Sequence, residues 1–384
     1  MDAVRLGIIG LGNMGQAHAR LVQDIDGIEL TAVAEVDASR RDKVAGRYGC
    51  KGFADAKNLL SSKTCDAVLI ATPHYDHTPI GIAALKRGLH VMVEKPISVH
   101  KADCEKLLAA HSNHAQVFAA MFNQRTNPQY QRIRDMVQGG ELGAIHRVHW
   151  TITDWFRSQA YYDSGGWRAT WRGEGGGVLM NQCPHQLDLL QWLFGMPARL
   201  RAFCHMGKHH RVEVEDEVTC YLEWESGASG VFTTTTGEAP GVNRLEVAAE
   251  NGLLVHDLAT GTVTWTRNEK SVTRAIAENE GFRKPATTTE QIHFDNEGPQ
   301  HRGILVNFAA AIRQDEPLVA PAAEGINSVE LANAMLLSSF TKRTVDLPIN
   351  ARGYAARLRR LARESRFEKP EATGEVAKDM KDSF

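Results

Sequence analysis

The sequence has few cysteines and none of the spacings in which cysteines bind metal. Six cysteines are scattered over 384 residues, and no two stand as Cys-x-x-Cys. In a chain of this size, such sparse thiols are typical of a reducing compartment rather than of a disulfide framework. The N-terminal residues lack the charged and apolar regions of a signal peptide and read as a strand. We therefore expect a cytoplasmic protein with free thiols.

Long apolar runs and long basic runs are also missing. No stretch of about 18 consecutive apolar residues occurs, so we expect no membrane span. The net charge is −2, with 44 Lys and Arg against 46 Asp and Glu. Basic residues do not cluster outside the C-terminal segment. A small-molecule substrate is therefore expected, with neither nucleic acid nor a membrane as partner.

The order of the predicted elements indicates two domains of different class. Strands and helices alternate over residues 1–122, which predicts a parallel α/β sheet with right-handed crossovers. Residues 123–350 contain runs of strands with period-two alternation, which predicts an α+β domain with a mostly antiparallel sheet. Residues 351–384 predict a basic amphipathic helix followed by a polar stretch that we expect to be disordered.

Three glycines follow the first predicted strand at the spacing Gly10-x-Gly12-x-x-Gly15 and open a predicted helix. This order of strand, glycine turn and helix is typical of dinucleotide binding. The first glycine allows the tight turn, the second lets the backbone approach a pyrophosphate, and the third lets helix and strand pack closely. The N–H groups at the helix start, at Asn13 and Met14, would bind the phosphates. A plain glycine turn is the alternative.

An acidic residue ends the second predicted strand. Glu35 lies about 20 residues after the glycine motif, where an acid accepts hydrogen bonds from an adenosine ribose. Its carboxylate, with Asp37 beside it, would repel a 2′-phosphate, so NAD is favoured over NADP. Arg40 and Arg41 could nevertheless tolerate that phosphate.

Polar residues follow two further predicted strands, at the edge of the sheet where open α/β sheets bind ligands. Thr72 and His77 are candidate cofactor contacts, although His77 could equally hold the loop. Glu94 and Lys95 end a buried strand that Pro96 terminates. Buried lysine is rare without a partner or a task, but Lys95 could simply pair with Glu94 or a helix end.

Three features stand in order along the chain: the Gly10-x-Gly12-x-x-Gly15 turn, the Glu94-Lys95-Pro96 signature, and a Gly-Gly-Gly run followed by Asn181, His185 and Asp188. Together they resemble the Gfo/Idh/MocA oxidoreductases from about Val4 to Pro348. The resemblance implies a Rossmann domain, a C-terminal domain with an open, mostly antiparallel sheet, and oxidation or reduction of a sugar or cyclitol carbon with NAD(P). That sheet is commonly an oligomer interface in the family, which implies a homodimer or homotetramer.

The resemblance also implies roles for individual residues. Lys95 is the lysine of the catalytic site and His185 the acid/base, and Glu94 and Lys95 lie beside the cofactor. Many members have Asp where this chain has Asn181, and Asn can hydrogen-bond but cannot carry charge. A carboxylate–histidine relay is therefore in doubt here.

The segment from Glu174 to Pro197 predicts a helix whose start Pro184 limits. Asn181 and His185 are four apart, so we expect both on one face at the helix N-terminus. Alternatively, Asn181 is only an N-cap and His185 a satisfied interface residue.

Aromatic and arginine side chains are interleaved just before that segment. Aromatic faces suit sugar rings, and arginine suits hydroxyls or carboxylates, although both types also mark subunit interfaces. The candidate substrate contacts, besides Lys95, Asn181 and His185, are Trp155, Arg157, Tyr161, Trp167 and Arg168. The His205, His209 and His210 cluster lacks metal-site spacing and reads as a solvent loop, so no metal is expected.

These features predict an NAD-dependent dehydrogenase that oxidises a secondary ring hydroxyl of a sugar or glycoside, with C3 favoured. His185 would take the hydroxyl proton, Lys95 would polarise the oxygen, and Asn181 would position a neighbouring hydroxyl. A cyclitol dehydrogenase or keto-sugar reductase is an alternative. Two others are a glycoside-cleaving enzyme that retains its NAD and a non-catalytic NAD-responsive protein.

Overall fold

A computed structural model of the protein describes residues 2–278 and 281–369. The polar stretch predicted to be disordered begins after these residues, so it lies outside the described part of the chain. Two sheets organise what is described, one built from the first 120 residues and one from the residues after 145.

The first sheet is parallel, and its strands alternate with helices. Its strands are β1 (Val4–Ile9), β2 (Ile28–Ala34), β3 (Lys51–Phe53), β4 (Ala67–Ile70), β5 (His90–Val93) and β6 (Phe118–Ala120). Its helices are α1 (Asn13–Leu21), α2 (Ala38–Tyr48), α3 (Ala56–Ser61), α4 (His74–Leu85) and α5 (Lys101–Ala109). The strand order is β3-β2-β1-β4-β5-β6, so the order reverses between β1 and β4. Ligands bind at such a switch point in open α/β sheets.

The central strands of this sheet are apolar because helices cover both of their faces. All four residues of β4 are buried, as are five of the six residues of β1. The edge strand β3 has only three residues, Lys-Gly-Phe, with no buried position, and sequence patterning did not predict it.

The second sheet is mixed and mostly antiparallel. Its strands are β7 (Ile145–Ile152), β8 (Arg199–Met206), β9 (Glu215–Glu223), β10 (Ser229–Thr235), β11 (Asn243–Ala249), β12 (Gly252–Asp257), β13 (Thr262–Asn268), β14 (Thr287–His293) and β15 (Val345–Asp346). The order is β14-β13-β12-β11-β7-β10-β9-β8-β15, and β7 and β10 form its parallel pair. Strand β9 shows the expected alternation, since Val218, Cys220 and Leu222 are buried while Thr219 and Tyr221 are exposed.

The remaining helices flank the strands of the second sheet along the chain. They are α6 (Pro128–Gln138), α7 (Gln159–Asp163), α8 (Pro184–Phe194), α9 (Val272–Ala277), α10 (Gln300–Gln314), α11 (Gly325–Thr341) and α12 (Ala351–Glu364). Helices α8 and α11 belong to the core of the second sheet through Leu187, Leu190 and Met335. Helix α10 instead packs with the first sheet through Leu305 and Phe308.

The two sheets confirm the predicted fold class, a Rossmann-like parallel sheet followed by an open, mostly antiparallel one. The division at residues 122 and 350 stays a prediction, and α10 shows that the chain returns to the first sheet after building the second. The C-terminal amphipathic helix is present as α12.

Candidate active site

A cleft of about 1260 Å³ runs along the carboxyl ends of the strands of the first sheet and is closed on one side by the loop before α8. Most of the predicted cofactor and catalytic residues meet there. Those that line it are Gly10, Gly12, Asn13, Met14, Glu35, Thr72, His77, Glu94, Lys95, Trp167, Arg168 and Asn181.

The glycine turn between β1 and α1 has the geometry that a pyrophosphate requires. Gly10 has φ +91°, and a Cβ there would lie 2.7 Å from the carbonyl oxygen of Ala71. At Gly15 a Cβ would lie 1.9 Å from the oxygen of Gly10, whereas at Gly12 it would meet no described atom within 4 Å. Gly12 therefore faces the open cleft. It caps α1 without a side-chain hydrogen bond, so the helix start fits a dinucleotide phosphate.

Glu35 lies at the edge of the cleft and is held by the glycine turn itself. Its carboxylate accepts hydrogen bonds from the N–H of Leu11 at 2.8 Å and of Asp37 at 3.1 Å. The Arg40 guanidinium also lies 3.3 Å from it. The carboxylate is thus fixed where it would meet an adenosine ribose, with Arg40 beside it.

Thr72 and His77 follow β4 but differ in their contacts. The His77 ring is buried, with one nitrogen 2.8 Å from the carbonyl oxygen of Pro96 and the other 2.8 Å from that of Thr72. Burial lowers the pKa of His77, although the two carbonyls oppose this. The ring therefore braces the two loops. The hydroxyl of Thr72 is buried and has no hydrogen-bond partner among the described residues, and Thr72 itself lines the cleft.

The Glu94 and Lys95 side chains do not pair with each other, contrary to one alternative from the sequence. Glu94 Oε1 lies 2.6 Å from the ring of His18. Burial would raise the pKa of Glu94, but the hydrogen bond and charge of His18 overcome it and lower the pKa to about 2. The ammonium of Lys95 instead donates to the backbone oxygen of Asn181 at 2.8 Å. Burial lowers the pKa of Lys95, which the charges of Glu94 and Glu174 oppose.

Asn181 does not lie on the helix, which corrects the prediction from the sequence. Helix α8 begins at Pro184 with Cys183 as its cap, because proline fits the first helical turn. Asn181 precedes it in a series of turns, so it is neither the N-cap nor on one helical face with His185. Its Oδ1 accepts a hydrogen bond of 3.4 Å from the Tyr161 hydroxyl.

A buried acid of the second sheet holds the glycine run that precedes Asn181. Glu215 on β9 accepts hydrogen bonds from the N–H groups of Gly177 at 2.8 Å and Leu179 at 3.1 Å. Burial raises the pKa of Glu215 to about 7 despite these bonds. The glycine run before α8 is thus a tightly packed structural loop.

His185 lies in the first turn of α8 and is 3% exposed. Its ring stands edge-on to Phe122, with centroids 6.4 Å apart. Its Nδ1 has no hydrogen-bond partner among the described residues. Burial, and then the charge of Lys95, hold the pKa of His185 well below its ordinary value. The imidazole is therefore neutral near pH 7.

The aromatic loop divides between core and cleft. Trp155 is 8% exposed and belongs to the hydrophobic core of the second sheet. It therefore lies in the core and not at the substrate-contact position predicted from the sequence. The Arg157 guanidinium lies over the rings of Trp155 and Tyr161. Arg168 donates to the Tyr161 hydroxyl at 2.8 Å and lies over Trp167. Tyr161 therefore connects the loop to Asn181.

Sequence reasoning missed two residues at this site. His74 lines the cleft, with its ring 5.2 Å from that of Trp167, and burial holds its pKa well below the ordinary value. Its place in the same loop as Thr72 was a usable signal. Glu174 is 1% exposed and binds the side chain of Asn181. A glutamate beside three glycines is typical of a solvent-facing loop, so no sequence signal marks Glu174 as a site residue.

The histidine cluster of β8 and the following turn is paired with carboxylates. His210 lies 3.0 Å from Asp216, and His205 and His209 lie near Glu217. The described part of the chain contains no group of three or more His, Cys, Asp or Glu side chains that could hold a metal ion. Nor does any helix within residues 2–278 and 281–369 have the length and apolar character needed to cross a membrane.

The fold and the cleft define a dinucleotide-dependent oxidoreductase. Residues 4–122 match the model of the oxidoreductase family with an NAD-binding Rossmann fold, and residues 130–255 match the Gfo/Idh/MocA C-terminal domain. The chain belongs to the Gfo/Idh/MocA family, and its cofactor is NAD. The resemblance stated from the motifs is thereby confirmed.

Several characterised proteins are similar over most of the chain. Myo-inositol 2-dehydrogenase of Thermotoga maritima is 24% identical over 90% of this chain and 98% of its own. The WlbA dehydrogenase from Chromobacterium violaceum, solved with NADH and UDP-GlcNAcA, is 27% identical with a TM-score of 0.79 over 91% of this chain and 97% of its own. Levoglucosan dehydrogenase, solved with NADH and levoglucosan, shares the fold at 20% identity, with a TM-score of 0.76 over 91% of this chain and 100% of its own.

Proposed function

We propose that the protein oxidises a secondary ring hydroxyl of a sugar or glycoside to a ketone, with C3 as the favoured carbon. The observation that carries this proposal is the contact between Lys95 and Asn181 across the cleft. It brings an ammonium group from the dinucleotide edge to the segment that carries His185. Oxidation of an alcohol requires an electrophile and a proton acceptor. Lys95 lines the cleft, whereas His185 is not among the described residues that line it but lies close enough to Lys95 for that charge to lower its pKa.

Each residue has a distinct role in the proposed reaction. When bound, NAD⁺ supplies the hydride acceptor. The Lys95 ammonium stabilises the alkoxide that develops as the hydroxyl loses its proton. His185 takes that proton, because burial and the charge of Lys95 keep its ring neutral. Asn181 positions a neighbouring hydroxyl through Oδ1.

The walls of the cleft support a hydroxyl-rich ring as substrate. Trp167 offers an aromatic face, and Arg168, whose guanidinium donates to the Tyr161 hydroxyl, offers hydrogen-bonding groups. Such a combination suits the C–H face and the hydroxyl edge of a sugar ring. The relatives named for levoglucosan and for a nucleotide-linked sugar acid fit the same substrate class.

A cyclitol is the second candidate substrate. The relative named myo-inositol 2-dehydrogenase aligns over nearly its whole length. A cyclitol presents the same secondary ring hydroxyl without an anomeric carbon. Trp155 lies in the core, which leaves fewer aromatic faces for a disaccharide than the sequence suggested.

A substrate screen tests the proposed function. Free pyranoses, glycosides, nucleotide-linked sugars and cyclitols are incubated with NAD⁺, and NADH is followed at its absorbance band. We expect a sugar or glycoside to turn over, and NMR of the product to show a ketone at C3. Turnover of cyclitols alone would favour the second candidate. Cleavage without net NADH would favour oxidation and elimination with retained cofactor, and no turnover on any compound would contradict all three.

We also propose a homodimer or homotetramer formed through the second sheet. Phe203 on β8 and Tyr221 on β9 are 53% and 44% exposed on the face away from α11, and apolar exposure of this kind marks association surfaces. Sedimentation of the wild type and of Phe203→Asp tests it, with loss of the oligomer in the variant as the expected result. A monomeric wild type would contradict it.

A further inference from the structure

Glu174 is a buried carboxylate beside the proposed catalytic groups, and the reaction as described does not use it. It is 1% exposed. Its Oε2 accepts a hydrogen bond of 2.6 Å from the N–H of Ala169, and its Oε1 accepts one from the side-chain amide of Asn181. Burying a carboxylate costs several kcal/mol unless it is paired. Its position therefore calls for an explanation beyond chain packing.

The contact with Glu174 decides which end of the Asn181 amide faces the cleft. An amide has one donor end and one acceptor end, and an ionised carboxylate only accepts. The NH₂ group of Asn181 must therefore point at Glu174, and Oδ1 then points at the Tyr161 hydroxyl. Asn181 is thereby fixed as an acceptor for a substrate hydroxyl.

The same carboxylate acts on Lys95. Asn181 accepts the Lys95 ammonium on its backbone oxygen while its side chain donates to Glu174. The charges that favour the protonated form of Lys95 are those of Glu94 and Glu174, and Arg157 and Arg168 oppose them. Glu94 and Glu174 thus both favour the charged form of Lys95, but Glu94 is hydrogen-bonded to His18, whereas Glu174 binds the residue that accepts from Lys95.

We propose that Glu174 is a positioning residue of this active site: it keeps Lys95 cationic and holds Asn181 Oδ1 toward the substrate. This inference rests on the proposed function. Many family members have Asp at the position of Asn181. In this chain Glu174 supplies the carboxylate instead, through its hydrogen bond with the Asn181 side chain. The inference therefore also explains how the site works with asparagine at 181.

Burial raises the pKa of Glu174, which the charge of Arg168 and the hydrogen bonds from Asn181 and Ala169 oppose. The cations that face Glu174 are Arg168, Lys369 and Lys95, and the buried acid Glu215 and the Tyr162 hydroxyl also lie near it.

The first test measures the pKa of Lys95 without turnover. Competitive labelling with acetic anhydride over a pH series, read by mass spectrometry of the peptide with Lys95, gives that pKa in wild type and in Glu174→Gln. We expect the variant to have the lower pKa, because a negative charge has been removed beside an ammonium. Glu213→Gln is the control. Glu213 also accepts from a backbone N–H, that of Trp171. Equal pKa values in wild type and Glu174→Gln would overturn the inference.

The second test separates charge from orientation. Lys95 must be protonated to act, so in Glu174→Gln the alkaline limb of kcat/KM should move to lower pH. Glu174→Asp keeps the charge but is too short to hold the Asn181 amide. It should therefore keep that limb while kcat falls about tenfold, the effect of about 1.4 kcal/mol. Wild-type kcat and KM in Glu174→Asp would overturn the orienting role.

The two tests also distinguish this inference from the proposed function. If no compound of the substrate screen turns over, the proposed function fails, and labelling of Lys95 still decides whether Glu174 sets its charge. If Glu174→Gln does not fold, as judged by circular dichroism, labelling of Glu174→Ala, which also removes the charge, is compared with that of Glu174→Asp. A lower Lys95 pKa is then expected in Glu174→Ala alone, and equal values in the two variants would overturn the inference.

Discussion

The ammonium of Lys95 donates a hydrogen bond of 2.8 Å to the backbone oxygen of Asn181, which lies 86 positions later in the chain. Lys95 follows β5 of the first sheet, and Asn181 precedes α8 of the second. The contact therefore joins the dinucleotide cleft to the helix that carries His185. Such a link fixes two catalytic candidates relative to each other more firmly than a contact between flexible side chains would, because one partner is backbone.

Replacement of Lys95 tests the electrophilic role. Lys95→Met should lower kcat by about 10²–10³, the usual loss when one group that stabilises an oxyanion is removed. Lys95→Arg should recover little, since a planar guanidinium does not reproduce the point charge of an ammonium. Lys86→Met, at an exposed site after α4, is the control. Steady-state kinetics near wild type in Lys95→Met would remove the lysine from the reaction.

The pH profile tests His185 as the base. Its pKa is held well below the ordinary value by burial, so the ring stays neutral, and able to accept a proton, to lower pH than an exposed histidine. The acid limb of kcat/KM should therefore lie below about pH 6.5. The same shift affects stability. Below about pH 6.5 His185 takes up a proton in the unfolded chain but not in the folded chain, so the free energy of unfolding falls as pH falls.

Two variants test whether the acid limb of kcat/KM reports the titration of His185. His185→Asn should lower kcat by about 10²–10⁴ and abolish the acid limb, whereas His114→Asn, at an exposed site, should leave both unchanged. If the acid limb persists in His185→Asn, another group accepts the proton of the substrate hydroxyl, and His74 would be the next residue to replace.

Cofactor choice should depend on Glu35. Glu35→Ser removes an acceptor for the ribose and the charge that repels a 2′-phosphate, and it releases Arg40. The KM for NAD⁺ should rise about tenfold or more, since hydrogen bonds to charged groups are worth about 1.5–3 kcal/mol. The ratio of kcat/KM for NADP⁺ over NAD⁺ should rise with it. Asp42→Ser is the control, and an unchanged ratio in Glu35→Ser would show that Glu35 does not discriminate.

The part of the site that sequence reasoning predicted is the part formed by local chain geometry. Gly10, Gly12 and Glu35 follow directly from a strand and a turn, so their spacing is visible in the sequence. The sequence predicts Trp155 as a substrate contact because an aromatic side chain suits both a sugar and a core, and only packing decides between them. Glu174 was missed because its task depends on Asn181 lying outside the helix, which the four-residue spacing to His185 does not show.

The glycine run before α8 should not tolerate a side chain. At Gly177 a Cβ would lie 1.9 Å from the backbone oxygen of Glu215, so the loop would have to shift. Gly177→Ala should therefore lower kcat at least tenfold by displacing Asn181, and thermal unfolding should occur at lower temperature. Gly46→Ala is the matched control, because a Cβ there meets no described atom within 4 Å and alanine favours the helix α2. Wild-type kinetics in Gly177→Ala would show that the loop adapts.

The buried ion pair between Arg125 and Asp188 should fix α8 against the first sheet. Arg125 donates to the two carboxylate oxygens of Asp188 at 2.7 and 2.6 Å, and both side chains are almost fully buried. Arg125→Met leaves Asp188 unpaired, so the free energy of unfolding should fall by about 3–5 kcal/mol. Arg125→Met/Asp188→Leu should recover most of that loss, because an apolar pair needs no counter-charge. Arg132→Met, which breaks the exposed pair with Glu141, should cost less than about 1 kcal/mol. Denaturant unfolding of the four proteins measures these values, and a double variant no more stable than Arg125→Met would show that the ion pair stabilises the fold in its own right.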